Sequence, residues 1–198
     1  MFAPLAIRIY YCSMQPNVLI LHAWHNYPAD HWYPWLSGEL TKKGYSVSIP
    51  ELPTMNTNLP DLEAQLPVAA AFLKENTIVI GHSLGSLLAM RLAEKYSFGK
   101  MILVAGWDFN ELTTEHRLFW KNPIDHVAIK QHVQDIYCVT SDNDPYITAI
   151  TAEDMSKRLG GKYVLVKGAG HFTKSYGVTT IPSLLSLVSD QYVSVLQL

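Results

Sequence analysis

Cysteine is nearly missing from this chain. Cys12 and Cys138 are its only two in 198 residues, too few for the disulfide framework of a small secreted fold. Cys138 lies inside an apolar run, where a reduced thiol packs as a small hydrophobe, so the sequence predicts a reducing compartment and a cytoplasmic location. Charge is sparse as well: Asp, Glu, Lys and Arg make up 16% and nearly cancel, to a formal net charge of −2. That balance supplies no electrostatic footprint for nucleic acid or for an anionic membrane. No apolar run comes near the ~20 residues of a membrane-spanning helix. Residues 1–13 carry Arg8 mid-segment and no basic start, which makes a poor secretory signal. They are expected to be an N-terminal extension, or an extra edge strand built on residues 5–11.

What the chain does have is apolar material, 48% of its residues, enough for one substantial core and too little length for two. Apolar runs of strand length fall at 18–22, 45–49, 77–81, 101–105, 136–140 and 163–167. Helical periodicity occupies 32–43, 59–75, 86–96, 152–159 and 181–192. Alternation of buried strands with helices predicts an α/β domain over 14–198, with a mainly parallel six-stranded sheet covered on both faces. The segment 107–134 is the least regular. It is too short for a folded cap and reads either as a small lid or as an ordinary connecting helix.

One stretch carries chemistry. The β-branched Thr77-Ile78-Val79-Ile80 runs into Gly81-His82-Ser83-Leu84-Gly85, and a helical pattern follows at once. A strand turning sharply into a helix at a serine is a nucleophile elbow. Small residues on either side let strand and helix approach, and the helix N-terminus favours developing negative charge. The plainer alternative is a serine capping a helix after a core strand.

A nucleophilic serine needs a base and an acid, in the order Ser, Asp, His for this kind of elbow. Downstream, the fifth strand ends in Ser141-Asp142-Asn143-Asp144-Pro145 and the sixth in Gly168-Ala169-Gly170-His171, both where open α/β sheets place ligands. His171 is the candidate base. For the acid, Asp144 leads, with Asp142 read as a turn cap and Asp108 as a cap on the segment after strand four. The oxyanion donors are expected to be the backbone N–H of Leu84 and that of Ala23 or Trp24. Trp24, Tyr27 and His82 are candidate pocket residues, His82 pointing away from the serine, while Trp32 and Trp35 are expected to start a helix against the core. His22, His25 and His31 lack carboxylate or cysteine partners at ligand spacing, so neither metal nor cofactor is predicted.

Taken together, His22-Ala23-Trp24, His31-Trp32-Tyr33-Pro34-Trp35-Leu36, Gly81-His82-Ser83-Leu84-Gly85, Asp144-Pro145 and Gly170-His171-Phe172 resemble the small serine hydrolases of the retinoblastoma-binding protein 9 family. The resemblance implies a minimal single-domain α/β-hydrolase without a large cap, with Ser83, Asp144 and His171 as nucleophile, acid and base. The serine, acid and base themselves predict a small-molecule acyl substrate, an ester before a thioester or peptide. Family members reported as binding proteins leave a protein-binding module as the rival reading. One departure is Ala23, where many relatives carry glycine; alanine still offers its N–H provided φ is not strongly positive.

Overall fold

A computed structural model describes residues 16–111 and 113–189; the expectation for residues 1–13 and the end of the helix predicted over 181–192 lie outside them. Six strands form one sheet: β1 (Asn17–Leu21), β2 (Ser46–Ser48), β3 (Ile78–His82), β4 (Lys100–Val104), β5 (Asp135–Ser141) and β6 (Lys162–Val166). Their order is β2-β1-β3-β4-β5-β6, and every neighbouring pair is parallel.

Side chains alternate across such a strand, so one strand feeds two cores. In β1, Val18 and Ile20 face one side and Leu19 and Leu21 the other; in β4, Ile102 and Val104 oppose Met101 and Leu103. Right-handed crossovers then dictate where the helices go. The chain moves outward from β1 to β2 through α1 (Tyr33–Lys42), then returns past β1 and proceeds the other way. So α2 (Leu62–Ala70), α3 (Leu84–Ala93), α4 (His126–His132) and α5 (Ala149–Leu159) share one face, through Leu66, Leu87, Ile129 and Met155. The opposite face takes α1 and α6 (Pro182–Ser189), through Leu36, Leu40, Leu184 and Val188. Burying one such Leu or Ile fully contributes about 1.5–3 kcal/mol.

The reversal of direction leaves a crevice between the C-terminal ends of β1 and β3, the place where doubly wound sheets bind ligands. All six predicted strands are present, each end shifted by one residue. The helix expected over 59–75 is shorter, because the Asp61 side chain caps Glu63 N–H at 3.0 Å and fixes its start. Within 107–134 the connecting-helix reading holds for α4, which Asp125 caps, accepting from the N–H groups of Val127 and Ala128. Trp32 is fully buried just ahead of α1, in the core shared with α6. From the connection after β4, Trp107, Phe109, Glu111, Thr113 and His116 lie beside the crevice.

Candidate active site

Ser83 joins β3 directly to α3 with φ 53° and ψ −120°, a conformation that costs an L-residue on the order of 1–3 kcal/mol. The surroundings hold it there. Ser83 N–H donates to the Val104 carbonyl at 2.9 Å, and the Ser86 hydroxyl donates to the Gly81 carbonyl at 2.8 Å. A Cβ at Gly81 would lie 2.4 Å from the Gly85 oxygen, and one at Gly85 would lie 2.2 Å from the Leu21 oxygen. Both are main-chain collisions, so strand β3, helix α3 and strand β1 meet at distances only glycine permits. Ala105 after β4 and Phe172 after β6 also take positive φ; the strained positions gather along the C-terminal edge of the sheet.

Over that edge, the Ser83 hydroxyl donates to His171 Nε2 at 2.9 Å, and His171 Nδ1 donates to Asp144 Oδ2 at 2.9 Å. The carboxylate can only accept, which assigns the proton to Nδ1 and leaves Nε2 as the acceptor. The Asp144 side chain is fully buried, and its other oxygen takes the N–H groups of Tyr146 (2.9 Å) and Ile147 (3.1 Å). Three donors thus compensate one buried carboxylate. The loop carrying His171 is tied to the β5 loop by side chains. Gly168 N–H donates to Asp142 at 2.7 Å, Ala169 N–H to the Ser141 hydroxyl at 2.9 Å, and Gly170 N–H to Asn143 at 2.7 Å.

Beside Ser83, both polar groups of Ala23 are held. Its N–H donates to the Tyr33 hydroxyl at 3.1 Å, and its carbonyl accepts from His22 Nδ1 at 3.0 Å. His22 Nε2 in turn accepts from Leu52 N–H at 3.2 Å, which fixes the tautomer. Burial lowers the pKa of His22, consistent with a neutral ring. Ala23 keeps its φ outside the left-handed region.

A cavity of about 620 Å³ takes in Ser83, His171, Ala23 and Trp24, and is walled by Trp107, Phe109 and Tyr146. The Trp24 indole is fixed by its N–H to the Thr57 carbonyl at 2.8 Å and by an edge contact with His116 at 4.8 Å. Glu111, on the same wall, accepts from the Trp107 indole (2.8 Å), the Thr113 hydroxyl (3.0 Å) and His116 Nδ1. Burial pushes its carboxyl up, but the His116 and Trp107 bonds outweigh this and hold it below the ordinary range.

A family model described as "Serine hydrolase" matches residues 18–190. The chain belongs to the serine hydrolase family. YdeN of Bacillus subtilis is 27% identical over 188 residues, 90% of this chain and 97% of that protein. Serine hydrolase RBBP9 of Rattus norvegicus is 28% identical over 150 residues, 71% of this chain and 77% of the relative. The crystal structure of the ydeN gene product superposes with a TM-score of 0.81 at 25% identity, over 88% of this chain and 97% of that one. Est1E from Butyrivibrio proteoclasticus shares the fold at 14% identity, with a TM-score of 0.64 over 87% of this chain and 88% of that one.

This serine hydrolase places several anticipated residues elsewhere. His82 is fully buried and forms no part of the cavity wall, because the last residue of an interior strand is covered on both faces. Tyr27 is half-exposed and opens onto a separate hollow with Glu51 and Thr57, since its N–H is turned onto Asp30 at 2.7 Å. Asp142 ties down the His171 loop and does not cap its own turn. Asp108 is held by Arg158 through two bonds of 2.7 Å and by His126 at 2.6 Å. Burial pushes its carboxyl up, yet these partners hold it below the ordinary range. The cavity residues Trp107, Phe109, Glu111 and Tyr146 were not anticipated, although all follow strand ends, the one positional signal that pointed to them.

Proposed function

We propose that this serine hydrolase cleaves carboxylic ester or related acyl bonds of small substrates through an acyl-enzyme. The observation that carries the reading is His171 bridging Ser83 and Asp144 at 2.9 Å on each side. In the first half-reaction, Ser83 Oγ attacks the carbonyl carbon while its proton passes to His171 Nε2. Asp144 holds the Nδ1–H and stabilises the imidazolium. The tetrahedral oxyanion is met by backbone N–H groups, and the imidazolium then gives its proton to the leaving oxygen. Water repeats the sequence in the second half and releases the acid.

Leu84 is the first oxyanion donor, at the N-terminus of α3. For the second, the geometry favours Trp24 over Ala23. The Ala23 N–H is engaged by Tyr33. The Ala23 carbonyl and the Trp24 N–H belong to one trans peptide and point opposite ways; His22, by holding the carbonyl, turns the Trp24 N–H in the other direction. The cavity volume is in the range of small-molecule sites, and its aromatic walls suit an apolar acyl or alkyl group.

The test is Ser83→Ala against a fluorophosphonate probe and a p-nitrophenyl ester. Labelling should vanish and turnover fall by about 10⁶. Esterase activity retained in the variant would overturn the assignment. A wild-type protein that never labels would favour a binding module on the same scaffold.

A further inference from the structure

Behind the catalytic groups lies a buried chain of hydrogen bonds that the proton-transfer steps do not use. Ala23 N–H donates to the Tyr33 hydroxyl at 3.1 Å. Tyr33 Oη and His82 Nδ1 are 2.6 Å apart, and His82 Nε2 lies 2.9 Å from the His171 carbonyl oxygen. Tyr33 and His82 are both wholly inaccessible to solvent, and their rings meet edge to face at 5.7 Å.

The directions in this chain are determined. A carbonyl oxygen only accepts, so His82 Nε2 carries the proton. A neutral imidazole then presents a lone pair at Nδ1, which takes the Tyr33 O–H. The Tyr33 oxygen keeps a lone pair for Ala23 N–H. Each donor finds one acceptor, and a protonated His82 would leave the Tyr33 hydroxyl hydrogen without a partner. Burial and the neighbouring His171 both lower the pKa of His82, well below its ordinary value, and burial pushes Tyr33 far up. Neutral imidazole and intact phenol are the species the geometry needs.

We propose that Tyr33 and His82 are positioning residues that lock the oxyanion loop and the base loop to the strand bearing the nucleophile. The inference rests on the acyl-transfer reading above. The two ends of the chain lie on separate loops, after β1 and after β6, and His82 is the residue before Ser83 on β3. Loops that carry a donor and a base must keep their geometry to within a fraction of an ångström. Here the tie runs through the neighbour of the nucleophile, so both loops are referenced to one point. Tyr33 holds the peptide that precedes the Trp24 donor; His82 holds the main chain of the base. Neither side chain touches the substrate.

Tyr33→Phe removes one oxygen and keeps the ring packing. With p-nitrophenyl butyrate as substrate, kcat should fall about 10–100-fold while KM changes less than about threefold, since misplacing a catalytic group by an ångström costs about 10². The acid limb of the kcat/KM–pH profile should stay in place, because Tyr33 acts at the oxyanion end. His82→Gln should lower kcat and displace that limb, because it acts on His171. The double variant should be no worse than the poorer single, as expected for members of one chain. Melting temperatures confirm that each protein is folded at the assay temperature. A merely structural pair would lower the melting temperature and leave kcat of the folded protein within twofold, and that outcome overturns the proposal. If Tyr33→Phe does not fold, His82→Gln decides alone by the same limb shift. A wild type that neither labels nor turns over ester refutes the hydrolase reading and this inference with it. An active wild type with an unaltered Tyr33→Phe refutes only the inference.

Discussion

Replacing Asp144 by Asn probes the proposed acid with almost no change in shape. The amide oxygen has a fixed seat, because the N–H groups of Tyr146 and Ile147 both point at Oδ1, at 2.9 and 3.1 Å. Turning the amide over would set its NH₂ against those two donors. The nitrogen must therefore occupy the Oδ2 place, 2.9 Å from His171 Nδ1, and it presents hydrogen there. His171 answers by moving its own proton from Nδ1 to Nε2. In that tautomer Nε2 faces Ser83 as a donor and can no longer take the hydroxyl proton. The base is lost although every heavy atom stays where it was. A tautomer fault of this kind costs about 10⁴ in kcat, or about 5 kcal/mol of barrier. Steady-state hydrolysis of a p-nitrophenyl ester measures it, with a thermal melt to show that the fold survives. Turnover within tenfold of wild type in Asp144→Asn would refute the reasoning and return Asp142 or Asp108 to consideration.

Two further outcomes follow from the packing. Gly85→Ala sets a methyl 2.2 Å from the Leu21 oxygen and 2.7 Å from the His22 oxygen. Both are main chain, so the variant should lose more than about 4 kcal/mol, seen as a collapse of soluble yield or melting temperature; a near-normal melt would contradict the close approach. His22 and His82 are fully buried with pKa values lowered by burial. Below about pH 6.5 the unfolded chain therefore binds protons that the folded chain refuses. Stability should be whole above that pH and decline beneath it, by up to ~1.4 kcal/mol per pH unit for each residue, until its folded pKa is reached. Melts recorded from pH 8 down to pH 5 check this; a melting temperature that holds or rises on acidification would contradict it.

Much of the fold was legible because its signals are local. Strands buried on both faces read as continuous apolar runs, and the elbow is five consecutive residues whose glycines have one steric reason. That Ser83, Asp144 and His171 would meet was legible too, since each follows a strand and parallel strands end on one side. What escaped depends on partners distant in sequence. Asp108 looked like a local cap, but its partners are Arg158 and His126, and no spacing announces a contact made across fifty residues. His82, at the elbow's variable position, was expected to line the cavity while pointing away from Ser83; it does not line it, because its side chain turns into the protein, onto Tyr33 and the His171 carbonyl. Among the tryptophans after β1 the division was legible: Trp24 faces the cavity, whereas Trp32 is in the core with Trp35 packed against it, as their positions before and at the start of a helix suggest. A connecting helix was an open reading of 107–134, but α4 is seven residues long, too short for periodicity to fix its bounds.

The sheet order distributes the machinery unevenly. Ser83 follows β3, an interior strand, whereas His171 follows β6, which ends the strand order and is only half-covered. Terminal strands are where native proteins open first, at a free energy well below that of global unfolding. Left to itself, the loop after β6 would flicker open while the rest of the molecule stayed shut, and the enzyme would be idle for that fraction of its time. The side chains of Ser141, Asp142 and Asn143 seize three successive backbone N–H groups of that loop. The loop that carries His171 thereby borrows the persistence of β5, one strand further in. A short polar run at the end of one strand thus acts as a hem, keeping the margin of the sheet from fraying where the chemistry can least tolerate it.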